Sequence, residues 1–149
     1  MKKLLIILTG LYACLQIGAE TYNVKDFGAK ADGKTIDSPA INKAIEEAAK
    51  NGGGTVYFPS GEYACYSIRM QSHTKLLLEN GAKIIAAYPE ENKGYDTAEE
   101  NPEIEGFQDF GHSHWKNSLI WGIGLEDITI CGNGLIYGKG LSREESRIQ

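Results

Sequence analysis

The residues of this 149-residue chain that could carry out acid/base or metal chemistry do not form a recognisable catalytic or metal-binding pattern. No pair of carboxylates in the sequence can be assigned as general acid and general base. No Cys-x-x-Cys spacing occurs either, which argues against a structural zinc site. We therefore assign no catalytic residue, no cofactor-binding residue and no metal ligand within the chain.

The glycine clusters do not match the known phosphate-binding motifs. Gly132-Asn133-Gly134, followed by Gly138, misses the dinucleotide-binding spacing and opens a strand-like segment where that motif needs a helix. The three glycines at 52–54 lack the Gly-Lys-Ser/Thr of a phosphate loop. Both clusters are therefore interpreted as elements of backbone geometry.

The first nineteen residues have the order of a secretory signal. Lys2 and Lys3 precede an apolar stretch that continues to residue 17, and small residues follow at 18 and 19. Polar residues interrupt the stretch, whereas a membrane span needs about 20 apolar residues. We predict cleavage after Ala19 and a secreted or periplasmic mature chain. The alternative is a lipoprotein signal with an acylated Cys14.

The mature chain has about 130 residues, enough for one domain. Without Lys2 and Lys3 the formal net charge changes from −5 to −7, which argues against nucleic acid as a partner. An acidic ligand would need cationic contacts that are local or lie elsewhere. Cys65 and Cys131 both lie in apolar runs, so two buried thiols are favoured over a disulfide.

One segment has the pattern of an amphipathic helix, from Pro39 to Lys50. Ser38 is a suitable N-cap and Pro39 fits the first helical position. Asn51-Gly52 ends the helix. Its apolar face is formed by residues three and four apart: Ile41, Ala44, Ile45 and Ala48.

The other segments have the pattern of short strands. An edge strand is predicted around Tyr22, Val24 and Phe27, followed by a loop rich in Gly and Asp. After the helix, apolar runs separated by turn residues predict four strands. Because no helix fits between them, alternating βαβ units are excluded. The four runs are Thr55–Phe58, Tyr63–Met70, Lys75–Leu78 and Lys83–Ala87.

An internal repeat indicates how these strands are arranged. Residues 74–86 align with residues 126–138 without gaps, as strand, three-residue corner and strand. Two ordinary hairpins are the alternative. A β-helix fits better, because its coils repeat tight corners at which Gly or Asn supplies a positive φ. The alignment places Leu76, Leu78 and Ile84 on Ile128, Ile130 and Ile136, and the corner Glu79-Asn80-Gly81 on Cys131-Gly132-Asn133.

Residues 88–117 interrupt this pattern. They are acidic and show no sustained period, and long irregular segments of this kind tend to be functional. The segment is a candidate to lean over a groove. Nearby aromatic side chains could stack on sugar rings, although packing on the coils is favoured: Tyr95, Phe107, Phe110, Trp115 and Trp121.

Residues 22–63 resemble the opening of the pectin-lyase-like β-helix superfamily. The matching elements are Asn23–Ala29, Asp32-Gly33, the helix, and Gly52–Pro59 with Gly61. Within that superfamily the chain is most similar to glycoside hydrolase family 28, the polygalacturonases and rhamnogalacturonases. The resemblance implies a right-handed single-stranded parallel β-helix with an N-terminal capping α-helix. Residues 20–149 would form its first coils, with an insertion at 88–117 and the catalytic coils absent.

The resemblance also implies a chemistry that this chain does not contain. Members of the family are inverting hydrolases without a metal or cofactor, and their catalytic aspartates lie on a later coil in Asn-x-Asp and Asp-Asp motifs. Neither motif occurs in this sequence, so the catalytic residues are expected C-terminal to Gln149. The general acid and base of an inverting enzyme lie about 6.5–9.5 Å apart. His112 and His114 imitate the family's Gly-His-Gly motif, and Arg147 imitates its Arg-x-Lys motif. Both are interpreted as chance matches, because their place in the chain is wrong.

The expected partner of the complete enzyme is a pectic polysaccharide, either galacturonan or rhamnogalacturonan. Two alternatives remain at the level of sequence. One is an enzyme of the pectate-lyase type, which cleaves uronides by β-elimination with the help of calcium. The other is a non-catalytic β-helix used for adhesion or carbohydrate binding. The sequence implies no oligomeric state.

Overall fold

The computed structural model describes residues 20–98 and 116–141, and these residues wind into a short parallel β-helix. Short strands separated by tight corners follow one another along the chain, and one α-helix precedes most of them. The elements are β1 Thr21–Asn23, a 3-10 helix Val24–Phe27, β2 Asp32–Ile36, α1 Ser38–Lys50, β3 Gly54–Phe58, β4 Gly61–Cys65, β5 Ile68–Arg69, β6 Thr74–Leu78, β7 Ala82–Ala86, β8 Ile120–Trp121, β9 Thr129–Gly132, β10 Leu135–Tyr137 and a 3-10 helix Lys139–Leu141.

The strands form three parallel sheets, one on each side of the coil. The first sheet has the order β1-β3-β6-β9, the second β2-β4-β7-β10, and the third contains β5 and β8. Consecutive strands along the chain lie in different sheets, while strands of successive coils pair with each other in parallel. The predicted fold class, a parallel β-helix with a capping helix, is confirmed.

The core lies inside the coil and is built by strand alternation. Val56 and Phe58 of the first sheet and Tyr63 of the second are fully buried. Phe58 and Tyr63 meet edge to face, with ring centroids 5.4 Å apart. The Tyr63 hydroxyl donates to the Pro59 carbonyl at 2.7 Å, so this buried polar group is satisfied.

Helix α1 covers the first coil with its predicted apolar face, and its four aliphatic side chains are buried. It begins at Ser38, and the residue that precedes it is Asp37, so the prediction that Ser38 is the N-cap is wrong. The side chains of Asp37 and Ser38 do not cap the helix but bond to backbone groups of other segments. The Asp37 carboxylate accepts the N–H groups of Lys30 and Ala31, and the Ser38 hydroxyl accepts the N–H of Tyr66 at 2.6 Å.

Two predicted strand boundaries and one predicted loop are corrected. Val24 and Phe27 lie in a 3-10 helix whose N-cap Asn23 accepts the Lys25 N–H, so the edge strand ends early. The predicted Gly- and Asp-rich loop contains β2. The run Tyr63–Met70 is divided into β4 and β5, because the chain turns there into the third sheet.

The internal repeat is confirmed, with one corrected register. Ile84 pairs with Ile136 as the alignment predicted. Leu76, however, pairs with Ile130 and not with Ile128. A gapless alignment cannot give the correct register for both β9 and β10, because the corner before β10 is two residues shorter than the corner before β7. A shift of two residues keeps the same face of the strand inward.

The inward positions of the last described coil are open. Leu76 and Ile84 are 0% exposed, whereas their partners Ile130 and Ile136 are 44% and 42% exposed. Within the described residues no coil packs on β9 and β10. Cys131 of β9 pairs with Leu77, whose side chain points outward, and it is only half-buried, so the prediction that both cysteines are buried holds for Cys65 alone.

Both cysteines carry free thiols, as predicted. Among residues 20–98 and 116–141, no helix is long and apolar enough to cross a membrane. The predicted signal at 1–19, with its alternative at Cys14, lies outside the described residues.

Candidate functional site

Most of the polar residues singled out in the sequence fall outside the structure's description. This applies to His112, His114 and Arg147, and to the aromatic residues Phe107, Phe110 and Trp115. In the described part of the chain, no group of three or more His, Cys, Asp or Glu side chains is arranged to hold a metal ion. The candidate site is the place where described polar side chains converge, beside strand β5.

Helix α1 takes the place of a neighbouring strand along one edge of β5. On the other edge, β5 pairs with β8, where the Ile68 N–H donates to the Leu119 carbonyl and the Met70 N–H donates to the Trp121 carbonyl. Towards the helix, the Asn42 Oδ1 accepts the Arg69 N–H at 2.8 Å, and the Asn42 Nδ2 donates to the Ser67 carbonyl at 3.0 Å. A side-chain amide offers one acceptor and donors as a peptide does, so it completes the strand edge.

Asp96 is the centre of a charged cluster next to this edge. Its carboxylate accepts bonds from the Arg69 Nε at 2.8 Å, the Arg69 Nη2 at 2.5 Å and the Trp121 Nε1 at 2.9 Å. The Arg69 guanidinium lowers the pKa of the Asp96 carboxyl below its ordinary value. The bonds from Asp96 in turn raise the pKa of Arg69. Such a bidentate pair fixes the orientation of both side chains.

Ser67, which directly precedes β5, joins Asp96 of the 88–117 insertion to Ser118, the residue that follows the insertion. The Ser67 hydroxyl accepts the Asp96 N–H at 2.9 Å and donates to the Ser118 carbonyl at 2.9 Å. Tyr95, one residue earlier, packs edge to face on Tyr66 with ring centroids 5.5 Å apart. The chain therefore leaves the coil and returns to it at almost the same point.

Two of the five aromatic residues considered for sugar stacking are described, and both have contacts within the protein. The Tyr95 hydroxyl donates to the Ala87 carbonyl at 2.8 Å, and burial raises the pKa of Tyr95 to about 12. Trp121 is bonded to Asp96, and the Lys116 Nζ lies 5.8 Å from the centroid of its ring. Packing, the favoured interpretation, is what the structure shows for both.

A cleft of about 360 Å³ lies between the first half of α1 and this cluster. Its wall contains two cations, Lys43 and Arg69, and two anions, Glu46 and Asp96. The other lining residues are Ile36, Ser38, Pro39, Asn42, Tyr66, Ser67 and Gly94. The hydroxyls of Ser38 and Ser67 already have hydrogen-bond partners, and the lining residues include no histidine to activate them. The charged and polar groups of the lining are therefore suited to binding a ligand.

Sequence reasoning missed this cleft. Asn42 interrupts the apolar side of the helix, next to Ile41 and three residues before Ile45. A polar residue at such a position was the one available signal, since a buried amide needs partners. The contacts of Arg69, Asp96 and Trp121 join segments up to 52 residues apart and have no local pattern.

The family resemblance is confirmed by comparison with known proteins. Residues 21–83 match the family model described as rhamnogalacturonase A/epimerase, pectate lyase-like. The matched range runs from β1 to the first two residues of β7, and it includes both the helix and Asn42.

Curated relatives include enzymes that act on more than one polysaccharide. The chain is 29% identical over 133 residues to a probable polygalacturonase of Vitis vinifera, which covers 87% of this chain and 26% of that protein. It is 53% identical over 66 residues to alginate lyase 7 of Azotobacter vinelandii, covering 44% of this chain and 8% of that protein. Mannuronan C5-epimerase AlgE3 of the same bacterium is 34% identical over 117 residues, covering 77% of this chain and 6% of that protein.

Among solved structures, a hyperthermoactive exopolygalacturonase from Thermotoga maritima is similar at a TM-score of 0.65 and 28% identity. The superposition covers 83% of this chain and 26% of that chain. The chain thus spans about a quarter, or less, of the length of each of these relatives.

Proposed function

We propose, from the premise that residues 21–83 match the rhamnogalacturonase A/epimerase family, that this chain is the N-terminal part of a glycoside hydrolase acting on pectic polysaccharide. The complete enzyme would be polygalacturonase-like and would hydrolyse galacturonide linkages with inversion. Its general acid and base would lie on coils that follow Gln149, and the chain by itself would be inactive. The enzyme would be exported by the signal predicted at residues 1–19.

The observation that carries this proposal is the overlap with a solved exopolygalacturonase. It covers 83% of this chain, yet only 26% of the longer chain. The open inward face of β9 and β10 supports it as well, because Ile130 and Ile136 occupy core positions that a following coil would cover. Burying such surface contributes about 25 cal/mol per Å² of apolar area.

A second candidate is an enzyme that cleaves an acidic polysaccharide by β-elimination. It is favoured by the 53% identity to alginate lyase 7 over 66 residues, although the matched region is a small share of that protein. A third candidate, a non-catalytic β-helix, is the outcome expected if the coils continue without an aspartate cluster. The coils described here are compatible with all three, because each uses the same scaffold.

The test begins with the coding region beyond Gln149. Asn-x-Asp, Asp-Asp and Gly-His-Gly motifs within the next coils would support the hydrolase. The complete protein would then be incubated with polygalacturonate and with alginate, and its products examined for new reducing ends and for unsaturated, ultraviolet-absorbing sugars. A hydrolase gives reducing ends without unsaturation and keeps its activity in EDTA. Unsaturated products that disappear with a chelator would replace the proposal by the lyase.

A further inference from the structure

We propose that the cleft between α1 and β5 binds one uncharged sugar ring of a polysaccharide chain, through Lys43, Glu46 and Arg69. The proposal rests on the proposed function for the class of ligand, a polysaccharide, while the binding itself requires no catalytic residue. It assigns a ligand-binding role to the described part of the chain.

The dimensions of the cleft fit a small ligand. Its volume of about 360 Å³ is at the small end of the roughly 300–1,000 Å³ typical of ligand pockets. Pro39 and Tyr66 supply apolar surface, and polar side chains line the remainder. A sugar ring presents apolar C–H groups on its faces and hydroxyls around its edge, so this combination matches a single ring.

The charges of the cleft favour an uncharged ring over a uronate. Lys43 and Arg69 are balanced by Glu46 and Asp96, and Asp96 already occupies two N–H groups of Arg69. A sugar carboxylate would be attracted by Lys43 and repelled by Glu46 at the same time. A hydroxyl can donate to a carboxylate and accept from an ammonium or guanidinium group, so it satisfies both signs.

The binding groups retain unused hydrogen-bonding capacity. A guanidinium has five N–H groups, and Asp96 takes two of those on Arg69. Lys43 and Glu46 lie one turn apart on the exposed side of α1, and neither has a hydrogen-bond partner within the described residues. A ligand in the cleft would therefore gain bonds without breaking any that hold the fold together.

The wall of the cleft is also held in place before a ligand arrives. Asn42 fixes α1 to β5, and Asp96 fixes the Arg69 side chain. Preorganisation of this kind reduces the entropy lost on binding, because fewer side chains become ordered when the ligand enters. This is the property expected of a binding site built on rigid elements.

The experiment uses the whole 149-residue chain, isotopically labelled for NMR, with methyl galactoside, methyl rhamnoside and galacturonic acid as separate probes. Each is titrated to about 50 mM, well above the dissociation constant of about 1 mM that we expect for a single sugar ring. We expect saturable shifts for a neutral glycoside at amides of residues 38–46 and 66–69. Lys43→Met and Glu46→Gln should each weaken binding about five- to tenfold, equivalent to the loss of one hydrogen bond.

Glu47→Gln is the matched control, since it makes the same change one residue further along the helix, outside the cleft lining. It should leave the affinity unchanged. Absence of saturable shifts with either neutral glycoside, or shifts that Lys43→Met and Glu46→Gln do not weaken, would overturn the proposal. Tighter binding of galacturonic acid than of both neutral probes would overturn the assignment of an uncharged ring. None of these results depends on the activity of the complete enzyme, so failure here is distinguishable from failure of the proposed function.

Discussion

Replacing Asn42 tests whether a side-chain amide acts as the missing strand beside β5. Asn42 is 9% exposed and makes two hydrogen bonds to backbone groups of β5 and its flank. Asn42→Ala removes both bonds and leaves the Ser67 carbonyl and the Arg69 N–H without these partners. The neighbouring bonds of β5 to β8 use other backbone groups and cannot replace them.

The size of the effect follows from the burial of those two groups. An unsatisfied buried donor or acceptor costs about 1–3 kcal/mol. The bond to the Ser67 carbonyl is buried, whereas the bond from the Arg69 N–H is only partly buried. We therefore expect Asn42→Ala to lower the free energy of unfolding by about 2–4 kcal/mol, at the lower part of the range for two such groups.

Urea unfolding followed by circular dichroism measures this difference, provided that the slope with denaturant is unchanged. Asn42→Leu separates hydrogen bonding from volume, because it restores much of the side chain but neither bond. Both variants should lose a similar amount. The exposed Asn92→Ala is the control and should change the free energy of unfolding by less than about 0.5 kcal/mol. If Asn42→Leu is as stable as the parent, packing and not the strand-like bonding holds α1, and the reasoning is refuted.

Three further predictions concern a corner, the thiols and the charged cluster. Gly132→Ala should lower the free energy of unfolding measured in urea by about 1–3 kcal/mol, because φ is 106° and the new Cβ would collide with a carbonyl of the preceding coil. Gly138→Ala is the control and should leave the free energy of unfolding unchanged, since its Cβ would meet nothing within 4 Å. Mass-spectrometric mapping after thiol labelling of the folded chain should show Cys131 modified well before Cys65, since burial raises the pKa of Cys65 to about 12; equal rates would contradict this. Asp96→Asn should lower the free energy of unfolding by about 1–2 kcal/mol at neutral pH. Because the pKa of Asp96 is lowered in the folded chain, the difference in stability between parent and variant should disappear as the pH falls below about 4. A difference that grows in acid would contradict the pairing of Asp96 with Arg69.

The elements that depend on local pattern were predictable from the sequence. Helix α1 was placed within one residue at its start, because Ile41, Ile45 and their neighbours repeat at helical spacing. Strands β3, β6 and β7 were found because alternating apolar residues lie between turn residues. Family resemblance then supplied the way in which the strands are stacked.

What could not be predicted depends on competition between distant groups. Ser38 is a good N-cap by type, yet its hydroxyl is used by the Tyr66 N–H, 28 residues away. The register of β9 depends on the corner before β10, which is two residues shorter than the corner before β7. Leu76 meets an isoleucine in either register, so the sequence alone does not reveal the deletion. Asp96 lies in a segment without any period, and only the folded chain brings it to Arg69.

The corners show why the regular coils of a β-helix are hard to recognise as a repeat in the sequence. Gly53, His73 and Asp127 occupy the same position in three successive coils, and all have positive φ: 112°, 60° and 52°. Because parallel coils repeat the same turn, each must adopt this left-handed conformation, whichever residue is present. His and Asp tolerate it better than most side chains, at a cost of about 1–3 kcal/mol each.

Stacking offsets that cost through bonds that run from coil to coil. The Gly54 N–H donates to the His73 carbonyl, the His73 N–H donates to the Glu126 carbonyl, and the His73 Nδ1 lies 3.1 Å from the Asp127 Oδ2. Three residue types thus adopt a positive φ at equivalent corners. A sequence comparison would detect this corner only if glycine were repeated there, so the geometry repeats while the sequence does not. A rigid stack of this kind is what allows Asn42 and Asp96, held against one side of it, to keep the cleft open in a fixed shape.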